Sequence, residues 1–230
     1  MKLSTINKLI KLNKDLYESQ ASQWAKTRTD LWEQPIVDIV RSIPSHSSVL
    51  DLGCGNARLY QILRQINIDY LGIDPSKKLI QIDKTNYPDA KFKIGDALKL
   101  GYKNKFDYIV SIAVLQHIPS VKLQSKFLNN CYNSLKKNGK LVLTVWNRHQ
   151  LRYEKYFLAS KLYSDMQKND LLVPWKDSGY SRYIHAFTTS ELANLAKNVG
   201  FKDIKCYYIG KNTTSDKQNG LNILLTASKK

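Results

Sequence analysis

The stretch VLDLGCGNARLYQIL, Val49 to Leu63, places Asp51, Gly53 and Gly55 where a hydrophobic run gives way to a helix-favouring one. Glycines at such a junction let the chain turn sharply and let a ligand approach the main chain with no side chain between. Asp51 narrows the choice of ligand. The dinucleotide fingerprint GxGxxG offers a helix N-terminus to a pyrophosphate, which a carboxylate at the turn would repel, and Arg58 stands where its third glycine would be. A cationic ligand, an ammonium or a sulfonium, suits this turn better.

Two further carboxylates follow at related places. Asp74 in YLGIDPS lies 19 residues beyond Gly55, the spacing expected of a carboxylate that accepts the two hydroxyls of a ribose. Asp96 in GDAL follows the next β-rich run, where it can accept from an adenine amino group, and the backbone of Ala97 can donate to the ring. Each feature alone also reads as a plain turn or a helix cap. Their succession on three strand ends points to S-adenosylmethionine.

Such residues need a scaffold that sets successive strand ends side by side. Strands are expected at Ser48–Leu52, Asp69–Ile73, Lys91–Ile94, Phe106–Ile112, Lys140–Trp146, Lys202–Ile209 and Leu221–Ala227. Helical segments separate the first five: Ala57–Gln65, Lys77–Thr85, a short link near Leu98, and Val121–Lys136. This alternation implies right-handed crossovers and a parallel sheet covered on both faces. Only the polar turn KNTTSDKQNG parts the last two strands, so they should pair antiparallel. The expected fold is α/β, a Rossmann-like doubly wound seven-stranded sheet with a reversed last strand.

At 230 residues with 43% hydrophobic content, the chain suits one buried core. We read residues 1–230 as a single domain with an N-terminal helical cap over 1–45. A segment at 151–187 interrupts the alternation with interleaved aromatic and basic residues, and Pro174 and Gly179 break it further. No apolar run reaches the roughly 20 residues of a membrane span, and no secretory leader is evident, so no membrane partner and a cytoplasmic location are expected. Cys54, Cys131 and Cys206 are odd in number and far apart, which disfavours a zinc site or a disulfide framework. No metal site is expected.

The net charge of +17 favours polyanionic partners, although a lysine-rich proteome would give the same balance. Between Asp107 and Glu154 there is no carboxylate, while Lys122, Lys126, Lys136, Lys137, Lys140, Arg148 and Arg152 fall there. Part of that run is a solvated helix face, and the rest could border a cleft.

VLDLGCGN, LGIDPS, GDAL and FDYIVSIAVLQHI together resemble the class I S-adenosylmethionine-dependent methyltransferases, from Ser48 to Ala227. A closer resemblance, to the branch that esterifies a carboxymethyl group on the wobble uridine of tRNA, is carried by TRTDLW, SIAVLQHIPS, LTVWNRHQ and RYIHAF. The chain departs from that branch in three respects: Gln116 replaces one of two paired histidines, Asn147 and Arg148 replace small or acidic residues, and a tryptophan-rich tail is missing. The resemblance implies tRNA modification, a cofactor set that also includes Ser111, and an N-terminal helix closing over the cofactor with Tyr17 and Arg28. Eukaryotic members of the branch work with a small zinc-binding activator subunit. For this chain a monomer is expected otherwise.

The acceptor chemistry can be argued from the residues. A carboxylate is ionised at pH 7 and needs no general base, only cations or donors to position it in line with the methyl group. Arg182 offers a bidentate fork, His117 follows the fourth strand, and His185 lies in the segment expected to cover the site. Trp146 at a strand end is either a core aromatic or a stacking platform. No Asp/Asn-Pro-Pro-aromatic motif follows the fourth strand and no paired catalytic cysteines occur, which disfavours amino-group and pyrimidine C5 methylation. Two alternatives stay open: a small-metabolite methyltransferase, and a non-catalytic RNA-binding protein with a structural cofactor pocket.

Overall fold

The three strand-end motifs lie along one edge of a sheet in the computed structural model, which describes residues 1–160, 165–175 and 179–230, the side chains of 158–160 excepted. The central strand β1 (Ser48–Leu52) is buried along its whole length. It pairs in parallel with β2 (Asp69–Asp74) on one side and β4 (Phe106–Ile112) on the other. β3 (Lys91–Ile94) and β5 (Leu135–Trp146) extend the parallel sheet outward, and β9 (Asn222–Ser228) then runs antiparallel between β5 and β8 (Lys202–Ile209). The order is β3-β2-β1-β4-β5-β9-β8. This is the expected doubly wound sheet with a reversed last strand. Strand order reverses beside β1, and in such sheets the crevice at that point, outside the C-terminal strand ends, receives the ligand.

Strand alternation divides the core between two faces. Leu50, Leu52, Leu141 and Leu143 pack on one face against Phe127 and Leu128 of α6 (Val121–Ser134) and Leu192 and Ala196 of α8 (Thr189–Val199). Val49, Val110, Val142 and Leu224 pack on the other, against Ile36 and Val40 of α3 (Gln34–Arg41) and Leu59 and Leu63 of α4 (Arg58–Leu63). Each fully buried side chain of this kind contributes roughly 1.5–3 kcal/mol relative to exposure. α8 starts at a capping box between Thr188 and Glu191, and α5 (Lys77–Asn86) starts at the Ser76 hydroxyl.

The N-terminal region differs from the one helix expected to carry both Tyr17 and Arg28. α1 (Leu3–Ser19) stops early, α2 (Ala21–Lys26) is short, and residues 27–33 carry no helix. The glycine turn supplies the reason. Asn56 Nδ2 donates to the carbonyls of Ala25 (3.3 Å) and Arg28 (2.8 Å), and Arg58 donates to Asp30 O (2.9 Å) while stacking on Trp32 at 4.6 Å. Carbonyls that a longer helix would use internally thus find partners across the fold. The same contacts give Arg58, at the third-glycine position, a structural task.

The segment 151–187 contains α7 (Glu154–Ser160) and a two-stranded antiparallel sheet of β6 (Asp170–Pro174) and β7 (Ser181–His185). Sequence reading expected an irregular covering segment there. Pro174 closes β6 at the last register pair, Pro174↔Ser181, and Gly179 takes a positive φ of 71° beyond it. Residues 161–164 and 176–178 of the segment lie outside the described residues.

One buried side chain bolts α1 to this hairpin. Asn13, 6% exposed, accepts from Tyr183 N (2.8 Å) and donates to Tyr183 O (3.0 Å) and His117 O (3.2 Å). Its amide therefore serves the Tyr183 backbone as a neighbouring strand would. Asn13→Ala leaves two carbonyls and an amide without that partner, and is expected to cost about 2–3 kcal/mol, read as a lower urea midpoint. A change under about 0.5 kcal/mol would refute this role.

Candidate active site

Gly53 and Gly55 adopt φ of 82° and 62° directly after β1, a backbone that residues with a Cβ rarely take. Side chains lie against both: Val114 over Gly53, and Trp24 over Gly55, where an added Cβ would stand 2.7 Å from the indole. Asp74, at the end of β2, accepts from Gly55 N (3.1 Å) and Ser76 N (2.9 Å). It thereby clamps the turn to the next strand end. Burial raises its pKa to about 6 against the pull of those two amides. Asp51 accepts from Tyr70 OH at 2.8 Å, and burial drives its pKa to about 7. Asp96 is exposed at the end of β3, where its carboxylate accepts from Leu98 N (2.8 Å), and Ala97 O accepts from Asn130 Nδ2. Ser111 is fully buried and donates to Leu52 O at 2.8 Å, a bond that ties β4 to β1.

α1 crosses the C-terminal ends of these strands. Glu18 near its end accepts from the Ser76 hydroxyl (2.7 Å), while Asn13 holds the hairpin. Between those two anchors Tyr17 sits edge-on to Trp24, Trp175 and His117, with ring centroids 6.2, 5.9 and 5.4 Å away. His117 Nδ1 lies 3.0 Å from the carbonyl of Tyr183, which can only accept, so that nitrogen carries the proton. His117 Nε2 then accepts from Tyr17 OH at 3.0 Å. Burial, with Arg182 and Arg148 nearby, lowers the His117 pKa to about 3. The imidazole is neutral.

Arg182 on β7 joins the same group. Its guanidinium stacks on Trp146 at 4.5 Å and on Trp175 at 4.9 Å, and it hydrogen-bonds Tyr17. Burial lowers its pKa, and Arg28 opposes its charge further. Arg28 and Arg182 line one small cavity of about 110 Å³ together with Gln23, Thr27, Pro174 and Trp175. The structure thus brings Tyr17, Arg28, His117 and Arg182 together.

His185 does not join them. Successive side chains on β7 point to opposite faces, so Tyr183 and His185 project away from the face that carries Arg182. His185 Nδ1 lies 2.7 Å from Asp170 Oδ1 and Nε2 lies 2.8 Å from Glu191 Oε1, with the ring 3% exposed. Burial would lower its pKa, but the two carboxylates outweigh it and raise the value to about 9. Both nitrogens are committed, which leaves this histidine no hydrogen for an acceptor. Sequence reading missed Asp170, Glu191 and Asn13, because nothing local marks a lone polar residue as a partner across the fold.

Comparison with known proteins places this geometry. Residues 22–205 match a family model described as a methyltransferase domain. The tRNA (carboxymethyluridine(34)-5-O)-methyltransferase of Schizosaccharomyces pombe is 26% identical over 209 residues, which cover 80% of this chain and 86% of that protein. The protein of the same name from Saccharomyces cerevisiae is 27% identical over 162 residues, covering 70% of this chain and 54% of that one. The chain thus spans about half the length of that yeast relative. A solved SAM-dependent methyltransferase from Methanosarcina mazei superposes with a TM-score of 0.72 at 22% identity, covering 86% of this chain and 99% of that one. Among the described residues no helix is long and apolar enough to cross a membrane.

Proposed function

The chain belongs to the methyltransferase-domain family and is an S-adenosylmethionine-dependent methyltransferase, and from that premise we propose that its acceptor is the carboxylate of a carboxymethyl group on the wobble uridine of tRNA. The observation that carries this reading is that, among the described residues, neither histidine first assigned to the acceptor is a suitable base beside Arg182. A general base works best with a pKa near the operating pH. His117 stands at about 3 with both nitrogens engaged, and His185 at about 9 between two carboxylates. An acceptor that must lose a proton is poorly served by that arrangement. A carboxylate arrives ionised and needs only a cation such as Arg182 to position it. The relatives named for carboxymethyluridine support the same acceptor.

The cofactor residues fit the methyl donor. The bare backbone at Gly53 and Gly55 is covered by the movable side chains of Val114 and Trp24 rather than by main chain. The carboxylate of Asp74 faces that turn, and Asp96 ends the next strand. We assign Asp74 to the ribose hydroxyls, Asp96 and Ala97 to the adenine, Asp51 to the methionyl end through its polar surroundings, and Arg28 to the methionyl carboxylate. The bound cofactor supplies an electrophilic methyl group on sulfur. Tyr17, held by His117 and Arg182, closes the crevice from the α1 side. Ser111 acts on the scaffold, by fixing β4 to β1, and His185 acts by fixing the hairpin.

The test is chemical. With labelled cofactor and unfractionated RNA from a strain lacking the protein, label should enter tRNA and be released as methanol by mild alkali, as an ester requires. Alkali-stable label in RNA would remove the carboxylate assignment. Label confined to small molecules would replace tRNA with a metabolite acceptor.

A further inference from the structure

Arg148 is 9% exposed and has no carboxylate partner among the described residues. Its guanidinium stacks on Trp146 and on Tyr153, 4.5 Å from each ring centroid, and donates to Tyr153 OH at 3.0 Å. Burial lowers its pKa to about 10. Arg182 stacks on the same indole at the same distance, so the two guanidinium carbons are no further apart than twice that separation. Neither Nε has a hydrogen-bond acceptor, and the buried Nε2 of Gln116, whose Oε1 accepts from Trp146 N, is likewise without one. Around Trp146 there are thus three buried donor groups, two of them cationic, and no carboxylate pairs with them among the described residues. Withdrawing an unpaired cation from water is costly, and stacking on aromatic rings offsets only part of that cost.

We infer that Arg148 and Arg182 form a two-arginine oxyanion site on the Trp146 platform, in which Arg148 binds an oxyanion of the methyl acceptor. The inference rests on the proposed acceptor, a nucleotide that carries a carboxylate and stands beside a backbone phosphate. Either oxyanion matches a guanidinium fork. Arg148 therefore adds charge selection to the positioning done by Arg182: an uncharged analogue of the acceptor leaves two buried cations unmatched.

The experiment titrates the full chain and its Arg148→Gln variant with 5-carboxymethyluridine, uridine 5′-monophosphate and uridine, followed by tryptophan fluorescence. The expected result is that Arg148→Gln weakens one anionic probe roughly ten- to a hundredfold, the scale of one charged hydrogen bond, and leaves uridine unchanged. Loss for carboxymethyluridine identifies the carboxylate as the ligand, and loss for the monophosphate identifies the phosphate. Equal weakening of uridine, no weakening of any probe, or a parent protein that prefers neither anion to uridine overturns the site. Should the glutamine variant melt early, Arg148→Lys keeps the charge and loses the fork, and an intermediate loss for the same probe is expected. In the tRNA assay the variant should raise KM with a smaller change in kcat. The ester assignment fails separately, by alkali-stable label with the parent protein, whatever Arg148 does.

Discussion

Arg182→Ala is expected to lower kcat/KM for the tRNA acceptor by roughly 30- to 5000-fold while the cofactor Kd changes less than about threefold. The range follows from the cost of truncating one partner of a buried, hydrogen-bonded charge pair, about 2–5 kcal/mol, at 1.36 kcal/mol per factor of ten. The selectivity follows from placement. Arg182 lies between Trp146 and Trp175 on the hairpin and reaches Tyr17, whereas the glycine turn is clamped by Asp74 from the sheet. Arg182→Lys keeps a cation but loses the planar fork and its stacking, so partial activity is expected. Single-turnover rates with calorimetric cofactor titration separate the two effects. A parallel collapse of cofactor affinity would move Arg182 to the methionyl end, and unchanged kcat/KM would remove it from the acceptor.

How far this placement could be read in advance differs along the chain. The parallel sheet and its reversed last strand were legible because the period of apolar residues changes with each element and because a short polar turn admits only an antiparallel hairpin. Asp74 and Gly55 were legible as a pair by spacing, and a direct bond of 3.1 Å joins them. The β6–β7 hairpin was not. Among the described residues its strands pair only with each other, and SRYIH carries a cation, an aromatic and a histidine on alternating faces, a pattern that also reads as covering loop. The place of His185 in the segment expected to cover the site suggested an acceptor role for it. Strand alternation sends it and Arg182 to opposite faces, which five residues of sequence reveal only once the strand is recognised. Arg148 stood out as a departure from the resembled branch, but its isolation from carboxylates is a tertiary fact.

The buried group behind the hairpin carries the second large effect. Asp170 is fully buried, and its Oδ1 accepts from Tyr183 OH and faces His185 Nδ1, both at 2.7 Å, while its Oδ2 accepts from Gln167 N at 2.8 Å. Asp170→Ala leaves a buried imidazolium with Glu191 alone, so a loss of about 3–5 kcal/mol is expected. For a domain of this size that lowers Tm by about 10 °C. The pH dependence identifies the cause. His185 has a folded pKa raised to about 9, above the roughly 6.5 of an unfolded histidine. Its contribution is therefore complete below pH 6.5 and lost as pH rises to 9, about 3 kcal/mol in all. Glu191 has the opposite sign: burial raises its pKa, but the bond and charge of His185 together with the Thr188 amide outweigh it and lower the value. That contribution is present above its unfolded pKa and is lost as pH falls through the folded one. The parent protein should thus lose stability between pH 6.5 and 9, and Asp170→Ala or His185→Gln should flatten that slope. Because Tyr183 and Arg182 are neighbours on β7, methyl transfer should fall with the hairpin, while cofactor binding at the sheet persists below the melting range. Urea midpoints that match the parent within about 1 kcal/mol, or an unchanged slope from pH 6.5 to 9, would show that the carboxylate pair does not hold His185 as a cation.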